Sequence, residues 1–316
     1  MVESAAEIEV DAQYRVLREG AGVLKRPERR LLEVTGADAA EFLQGQLTND
    51  VEALAPGSGC YAALLDRKGR MQGDMRVLRT DAGFLIETEA LAAGAVLKHV
   101  TMYKVGRAVE VEDRSTGLAV LSVIGPGAGE LALSGPPGPE HSHREVEVGG
   151  AECRAVSTDL GVDLICAAGE LDAVGDALLG LGAERIGEQA AEIVRVESGR
   201  PRFGLEMTTA TIPEEAGINE RAVSFSKGCY IGQETVARLH YRGKPNRRLR
   251  GLRLTAPAST GEPIRVGERE LGTIGTAVLS PAHGPIALAI VRREAEEGTT
   301  VRVGERGEGE VVALPF

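Results

Sequence analysis

The sequence contains no tryptophan, and aromatic residues make up only 3% of its 316 positions. A core built without large rings has to be filled by Val, Leu, Ile and Ala. Long apolar runs are missing too: none approaches the ~18 residues that a membrane-spanning helix needs. The first residues, Met1 to Ala12, are acidic and lack an apolar centre, so no secretory leader is expected. Cysteine is sparse. Cys60, Cys153, Cys166 and Cys229 are far apart, with no CxxC pair, which excludes a sequence-local zinc cage or dithiol motif. Positive charge is in deficit, with 36 Lys and Arg against 47 Asp and Glu, a formal charge of −11 and a pI near 5.2. Phosphate backbones and anionic lipids are held by Lys and Arg, so a general binder of either is not expected. Together these absences point to a soluble cytoplasmic protein with reduced thiols.

What is present is ordinary for a globular chain: 43% hydrophobic and 26% charged residues. The length exceeds what one compact core usually holds, so two or three structural units are expected. Residues 1–28 are charged and poorly patterned, with at most a short helix. Arg30 to Val34 reads as a strand. Asp38 and Glu41 are spaced as a capping box, and Phe42, Leu43 and Leu47 give a helix ending near Asn49 an apolar face. Tyr61–Leu65 and Met71–Leu78 flank turn chemistry and predict a hairpin. A strand at Phe84–Thr88, a helix over Leu91–Tyr103 facing inward through Leu91, Ala95, Leu97 and Met102, and a strand at Ala108–Glu112 follow. A similar order begins again at Leu118–Ile124. A helix is expected at Pro126–Leu133, strands at Glu145–Val148, Cys153–Ser157 and Val162–Ala167, and helices at Leu171–Leu181 and Gly187–Ser198. This predicts two α+β units within residues 1–245, switching near residues 115–120. Short β-rich runs with Gly and Pro then predict a small barrel over residues 246–316, with a helix fitting only at Arg293–Glu297.

One segment carries more chemistry than the rest: Ser226-Lys227-Gly228-Cys229-Tyr230-Ile231-Gly232-Gln233-Glu234. An ammonium near a thiol favours the thiolate, which can attack an electrophile or touch a metal. The bland reading of an isolated K-x-C is a small buried thiol and a solvated lysine. Gly232 either lets backbone approach a ligand or opens the helix expected at Gln233–Leu239. Between Arg238 and Arg253 there are seven Lys or Arg and no acid, against an acidic background. Carboxylates of a ligand, an acidic protein or RNA could meet this stretch, or it is a solvated connector. With Tyr241 as the main aromatic nearby, direct nucleic-acid binding is not favoured. His141 and His143 sit in a Gly/Pro-rich loop and read as exposed.

KGCYIGQE resembles the signature of the YgfZ-type folate-binding proteins, relatives of the glycine-cleavage T-protein. The surrounding segments agree. Ile212-Pro213-Glu214-Glu215-Ala216-Gly217 is similar to a P-x-E-A-G element, Arg195 to Pro201 with Gly204-Leu205-Glu206 to R-x-E-x-G-x-P…G-x-E, and Phe42 to Asp50 to F-L-x-G-x-x-T-N-D. The resemblance covers about residues 29 to 316. It implies a three-part ring in which two ferredoxin-like α+β units and a C-terminal β-barrel surround tetrahydrofolate or a one-carbon-substituted folate. It implies an accessory role in iron–sulfur cluster assembly or repair, with assembly or client proteins as partners and a link to tRNA-modifying enzymes. The alternative is a true aminomethyltransferase, the T-protein activity. The KGCYIGQE run, whose cysteine T-proteins lack, favours the accessory role.

The resemblance also assigns roles. Cys229 and Lys227 correspond to the motif residues regarded as functional. Asp74, in Gly73-Asp74-Met75-Arg76-Val77, is similar to the second acid of the T-protein D-D-L-x-V strand, which acts near the folate amine. Here Gly73 replaces the first acid, and Leu78 stands where T-proteins tend to have Tyr. Asp159 corresponds to the first acid of G-E-D-G-x-E, a partner for pterin N–H groups. Asn49, Glu197, Tyr230, Gly232, Gln233, Glu234 and Arg238 complete the expected cofactor-binding set. Local readings compete: Asp74 as a solvated strand acid, Asp159 as a turn former, Asn49 as a helix cap. No metal site is expected.

Overall fold

The computed structural model describes residues 5–305 and 307–316. Met1 to Ser4 of the expected lead-in lie outside the described residues. The chain forms two compact units: residues 1–65, 72–191 and 221–231 in one, and 66–71, 192–220 and 232–316 in the other. The boundary expected at 245/246 marks where the β-rich run begins, but the second unit also draws in earlier segments.

The first unit holds α1 (Ala5–Glu19), β1 (Gly22–Lys25), β2 (Arg29–Thr35), α2 (Ala39–Gln46), β3 (Gly59–Leu65), β4 (Met71–Arg79), β5 (Gly83–Glu89), α3 (Ala90–Tyr103) and β6 (Glu110–Asp113). It continues through β7 (Leu118–Ile124), α4 (Ala128–Leu133), β8 (His143–Val148), β9 (Ala151–Ser157), β10 (Gly161–Ala167), α5 (Leu171–Gly180), β11 (Glu184–Arg185) and the start of α6 (Glu188–Glu197), and includes the second half of α7 (Asn219–Ala222). One sheet has the order β3-β4-β5-β2-β6, the other β11-β1-β7-β10-β9-β8. The chain passes between them over residues 114–117. β1, not foreseen from the sequence, lies in the second sheet, antiparallel to β7 and parallel to β11.

Strand alternation assigns each sheet two faces. Val123, Leu164, Cys166 and other inward residues of the second sheet pack with Val174 and Leu178 of α5. On the opposite face Val120, Val156 and Ile165 meet Leu31, Leu78 and Leu85 of the first sheet, so the two sheets stack through an apolar layer. The outer face of the first sheet is covered by α2 and α3. The α3 face differs from expectation: Ala92, Val96 and Val100 are buried, while Leu91 and Met102 are exposed. This helix is apolar on several sides, and the small, β-branched 92/96/100 stripe fits the sheet more closely than the longer side chains.

The second unit holds α8 (Gln233–Arg242) and β12 (Arg247–Leu254), β13 (Pro263–Val266), β14 (Arg269–Thr273), β15 (Thr276–Ser280), β16 (Gly284–Arg292), β17 (Thr300–Val303) and β18 (Gly307–Val312). These strands form one antiparallel sheet, ordered β14-β13-β17-β18-β12-β16-β15, around a core including Leu252, Ile264, Ala289, Val301 and Val311. Residues 293–297 form turns, not the helix the sequence allowed. Among the described residues no helix is long and apolar enough to cross a membrane.

Candidate functional site

The layer between the two sheets is apolar at its centre and charged at one end. On β2, β4 and β5 the positions facing this layer are Arg29, Asp74, Arg76, Glu87 and Glu89. Arg29 donates to Glu87 at 2.6 Å and to Glu89 at 2.8 Å. Arg76 donates from Nε to Glu87 at 2.7 Å and pairs with Asp163 of β10 at 2.6 Å, which ties the two sheets together. Ser122 of β7 donates to Asp163 at 2.5 Å. Burial alone would raise the Glu87 carboxyl, but Arg29 and Arg76 outweigh it and hold its pKa down to about 2. The two guanidiniums are held firmly charged in return, against their own burial.

Asp74 sits beside this network. Its Oδ2 accepts the Tyr61 hydroxyl at 2.5 Å, while Oδ1 is buried without a hydrogen-bond partner. Burial raises the pKa of this carboxyl, with the Tyr61 hydrogen bond and the Arg29 charge pulling the other way. An unsatisfied buried carboxylate oxygen is costly, and such groups gather where a ligand completes them. Gly73 is on the other face of β4, against α3. A Cβ there would lie 2.7 Å from the Ala92 Cβ, so the strand has no room for a first acid.

From Tyr61 the site continues to residues the sequence did not single out. The Arg221 guanidinium lies 5.1 Å from the centre of the Tyr61 ring and pairs with Glu140. Glu140 Oε1 is 3.5 Å from Nε2 of His141. Contrary to the exposed-loop reading, His141 is 9% and His143 7% exposed. Burial lowers the His141 pKa to about 4, against the pull of Glu140 and with Arg76 and Arg221 helping, so the ring is neutral at pH 7. The loop folds inward because His141 N donates to Ser157 O and His143 N to Gly57 O, both at 2.8 Å. No local sequence pattern reveals this contact.

Asp159 is not where the inward acid stands. It is exposed at the tip of the β9–β10 turn, and its charge acts on His141. The acid pointing between the sheets is Asp163, four residues later, on the strand parity that faces Arg76. The alternation of β10 could have shown this.

The KGCYIGQE segment divides its residues. Lys227 is 8% exposed, and its ammonium donates to the carbonyls of Gln44 at 2.6 Å, Leu47 at 2.7 Å and Asn49 at 2.8 Å, at the C-terminal end of α2. Burial pushes its pKa down to about 8, opposed by Asp50 and Cys60. Cys229 is exposed. The expected activation of Cys229 by Lys227 therefore gives way to another arrangement: all three ammonium hydrogens go to carbonyls, and the thiol in the lysine's field is Cys60. Burial raises the Cys60 pKa to about 12. Tyr230 is buried, its ring centre 5.2 Å from the Lys227 nitrogen. Asn49 is no helix cap, since α2 ends at Gln46. Its amide donates to Tyr61 O at 2.8 Å and Arg221 O at 2.9 Å, and its oxygen accepts from Asp50 N. Asn49 thus braces the backbone of two side chains beside Asp74, with its amide spent on the protein itself.

The other expected residues belong to the second unit. Gly232 takes a left-handed φ of 85° and starts α8, the helix-opening role. Gln233 is half-buried in its first turn, and Glu234 and Arg238 are exposed. Glu197 is buried and accepts the Ser280 hydroxyl at 2.5 Å. Lys244, Arg248 and Arg250 of the basic stretch line a cleft of about 620 Å³ with Arg292 and Arg293. Another cleft, about 910 Å³, opens at the far end of the inter-sheet layer from Asp74, where Arg114 pairs with Glu33 and Arg154 with Glu145. Cys153 and Cys166, distant in sequence, are directly opposed across β9 and β10 in the core under α5. Among the described residues no group of three His, Cys, Asp or Glu could hold a metal ion.

Two stacked α+β sheets, an antiparallel C-terminal barrel and a buried carboxylate with a free oxygen define a protein of the T-protein fold. The crystal structure of glycine cleavage system aminomethyltransferase T from Bartonella henselae superposes with a TM-score of 0.86 over 97% of this chain and 89% of that one, at 24% identity. The chain belongs to the glycine-cleavage T-protein family: it matches the GCVT N-terminal domain over residues 3–227 and the glycine cleavage T-protein C-terminal barrel domain over residues 247–316. It is 28% identical to an aminomethyltransferase of Rubrobacter xylanophilus (97% of this chain, 86% of the relative). An aminomethyltransferase of Frankia alni is 31% identical (96% and 88%), and an uncharacterized protein of Haemophilus influenzae is 31% identical (79% and 81%).

Proposed function

We propose that the protein binds a tetrahydrofolate in its first unit, with Asp74 facing the nitrogen that carries or receives a one-carbon group. The carrying observation is the Asp74 carboxylate, one oxygen fixed by Tyr61 and the other buried and unpaired. The donor set fits such a ligand: a buried acceptor, aromatic surface on Tyr61, and cationic Arg221 beside it. A bound tetrahydrofolate supplies an amine that takes up a one-carbon unit. Asp74 orients that amine and exchanges a proton with it at Oδ1, helped by the raised proton affinity that burial gives it. Tyr61 fixes the carboxylate's rotation, and Arg29 and Arg76 keep the adjoining Glu87 ionised so that it does not compete for the proton.

For the downstream role, aminomethyl transfer is favoured by the names of relatives aligned over nearly the whole chain. A second reading, an accessory role in iron–sulfur cluster assembly or repair, is supported by one feature, the exposed Cys229 within KGCYIGQE. Calorimetry with tetrahydrofolate tests the shared claim, and no binding by the intact protein would overturn it. Turnover of a lipoyl-carried aminomethyl group with tetrahydrofolate marks the transferase. Binding without turnover, together with loss of cellular iron–sulfur enzyme activity in Cys229→Ala, marks the accessory protein.

A further inference from the structure

His141 is held in a conformation its residue type disfavours. Its φ is +70°, a left-handed region that strains a residue with a Cβ and suits Gly or Asn. The ring is nevertheless buried, and its Nδ1 has no hydrogen-bond partner. Nε2 faces Glu140 Oε1 at 3.5 Å. With the Nε2 proton turned to Glu140, the neutral ring presents a lone pair at Nδ1. A strained backbone and an orphaned buried nitrogen at one residue are two costs of the kind that gather where a ligand completes a site.

The residue is joined to Asp74 by an unbroken series of contacts: His141 to Glu140, Glu140 to Arg221, Arg221 over Tyr61, and Tyr61 to Asp74. Two members of the series also carry buried atoms without partners, Oδ1 of Asp74 and Nε of Arg221. With Asp74 Oδ1 given to the one-carbon amine, the remaining unsatisfied pair is one acceptor, His141 Nδ1, and one N–H donor, Arg221 Nε. A heterocycle that completes this pair offers one N–H group and one carbonyl-type oxygen or ring nitrogen, as the edge of an aminopyrimidinone does.

We propose that His141 is a ligand-contacting residue of the Asp74 site, its Nδ1 accepting an N–H from the bound heterocycle. This rests on the folate reading above and adds a contact on the side of the site away from Asp74. Two substitutions separate contact from architecture. His141→Gly removes the ring and relieves the positive φ. His141→Asn suits the same backbone and places an amide oxygen near the position of Nδ1.

Calorimetry with tetrahydrofolate is run on intact wild-type protein and both variants, with melting temperatures as controls. The expected result is roughly tenfold weaker binding for His141→Gly, as for loss of one buried hydrogen bond, with an undiminished melting temperature. His141→Asn should stay within a factor of about three of wild type. Equal affinity in wild type and His141→Gly overturns the assignment and leaves the folate reading standing. Equal losses in both variants also overturn it, because the lone pair would not be the feature recognised. Absence of binding in wild type overturns the folate reading, and the assignment falls with it.

Discussion

Lys227→Met isolates the work done by one buried charge. The methionine keeps the apolar stem and removes the ammonium, leaving the carbonyls of Gln44, Leu47 and Asn49 without their shared donor. Hydrogen bonds to a charged donor contribute about 1.5–3 kcal/mol each, and desolvation of the ammonium, visible in its lowered pKa, offsets much of the sum. A net loss of about 3 kcal/mol follows. For a unit of this size that is a drop in melting temperature of roughly 6–12 °C. The assay is thermal unfolding followed by circular dichroism, with native-state hydrogen exchange to locate the effect. Faster exchange should concentrate in the last turn of α2 and the loop through Asn49. Cys229→Ala is the control: its side chain is exposed, and the melting temperature should move by less than about 2 °C. A Lys227→Met protein as stable as wild type, with unchanged exchange in α2, would refute the anchoring role and return the lysine to the chemistry of the neighbouring thiol.

Three further outcomes follow from the site. Asp74→Asn should keep the fold, since an amide fits the same space. It should lower any folate-dependent transfer rate by about a hundredfold or more in a single-turnover assay. Glu87 titrates near 2 in the fold against an ordinary value of 4.5, so its contribution is complete above about pH 4.5 and is lost as the pH falls towards 2. Chemical denaturation between pH 2 and 6 should show this loss, and Glu87→Gln should weaken the acid dependence. Gly73→Asp forces a side chain into Ala92 and should destabilise by about 1–3 kcal/mol in urea unfolding, an effect eased by Ala92→Gly.

Much of the architecture was legible because strand and helix periods are local. Leu118–Ile124 is a strand with the bounds read from its apolar run, and α2 buries Phe42 and Leu43 as its pattern requires. Of the candidate site, the motif located Asp74 and its strand. Sidedness was not legible: Lys227 turns inward while Cys229, two residues on, faces solvent. The inward histidines were missed because Gly and Pro around them signal a loop, and only tertiary hydrogen bonds to Ser157 and Gly57 decide that this loop is buried. The Arg29–Glu87–Arg76–Asp163 network joins four strands, and no sequence window spans it.

The place of β1 governs how this chain can be divided. Residues 22–25 precede the whole first sheet in the sequence, yet their neighbours are β7 on one side and residues 184–185 on the other. A cut at 115–120, where the chain passes from one sheet to the next, strands β1 on the wrong fragment and opens a slot between β7 and the edge strand β11 of the later sheet. Fragments made there should recover a folded unit only when mixed, the early piece donating its strand to the late one.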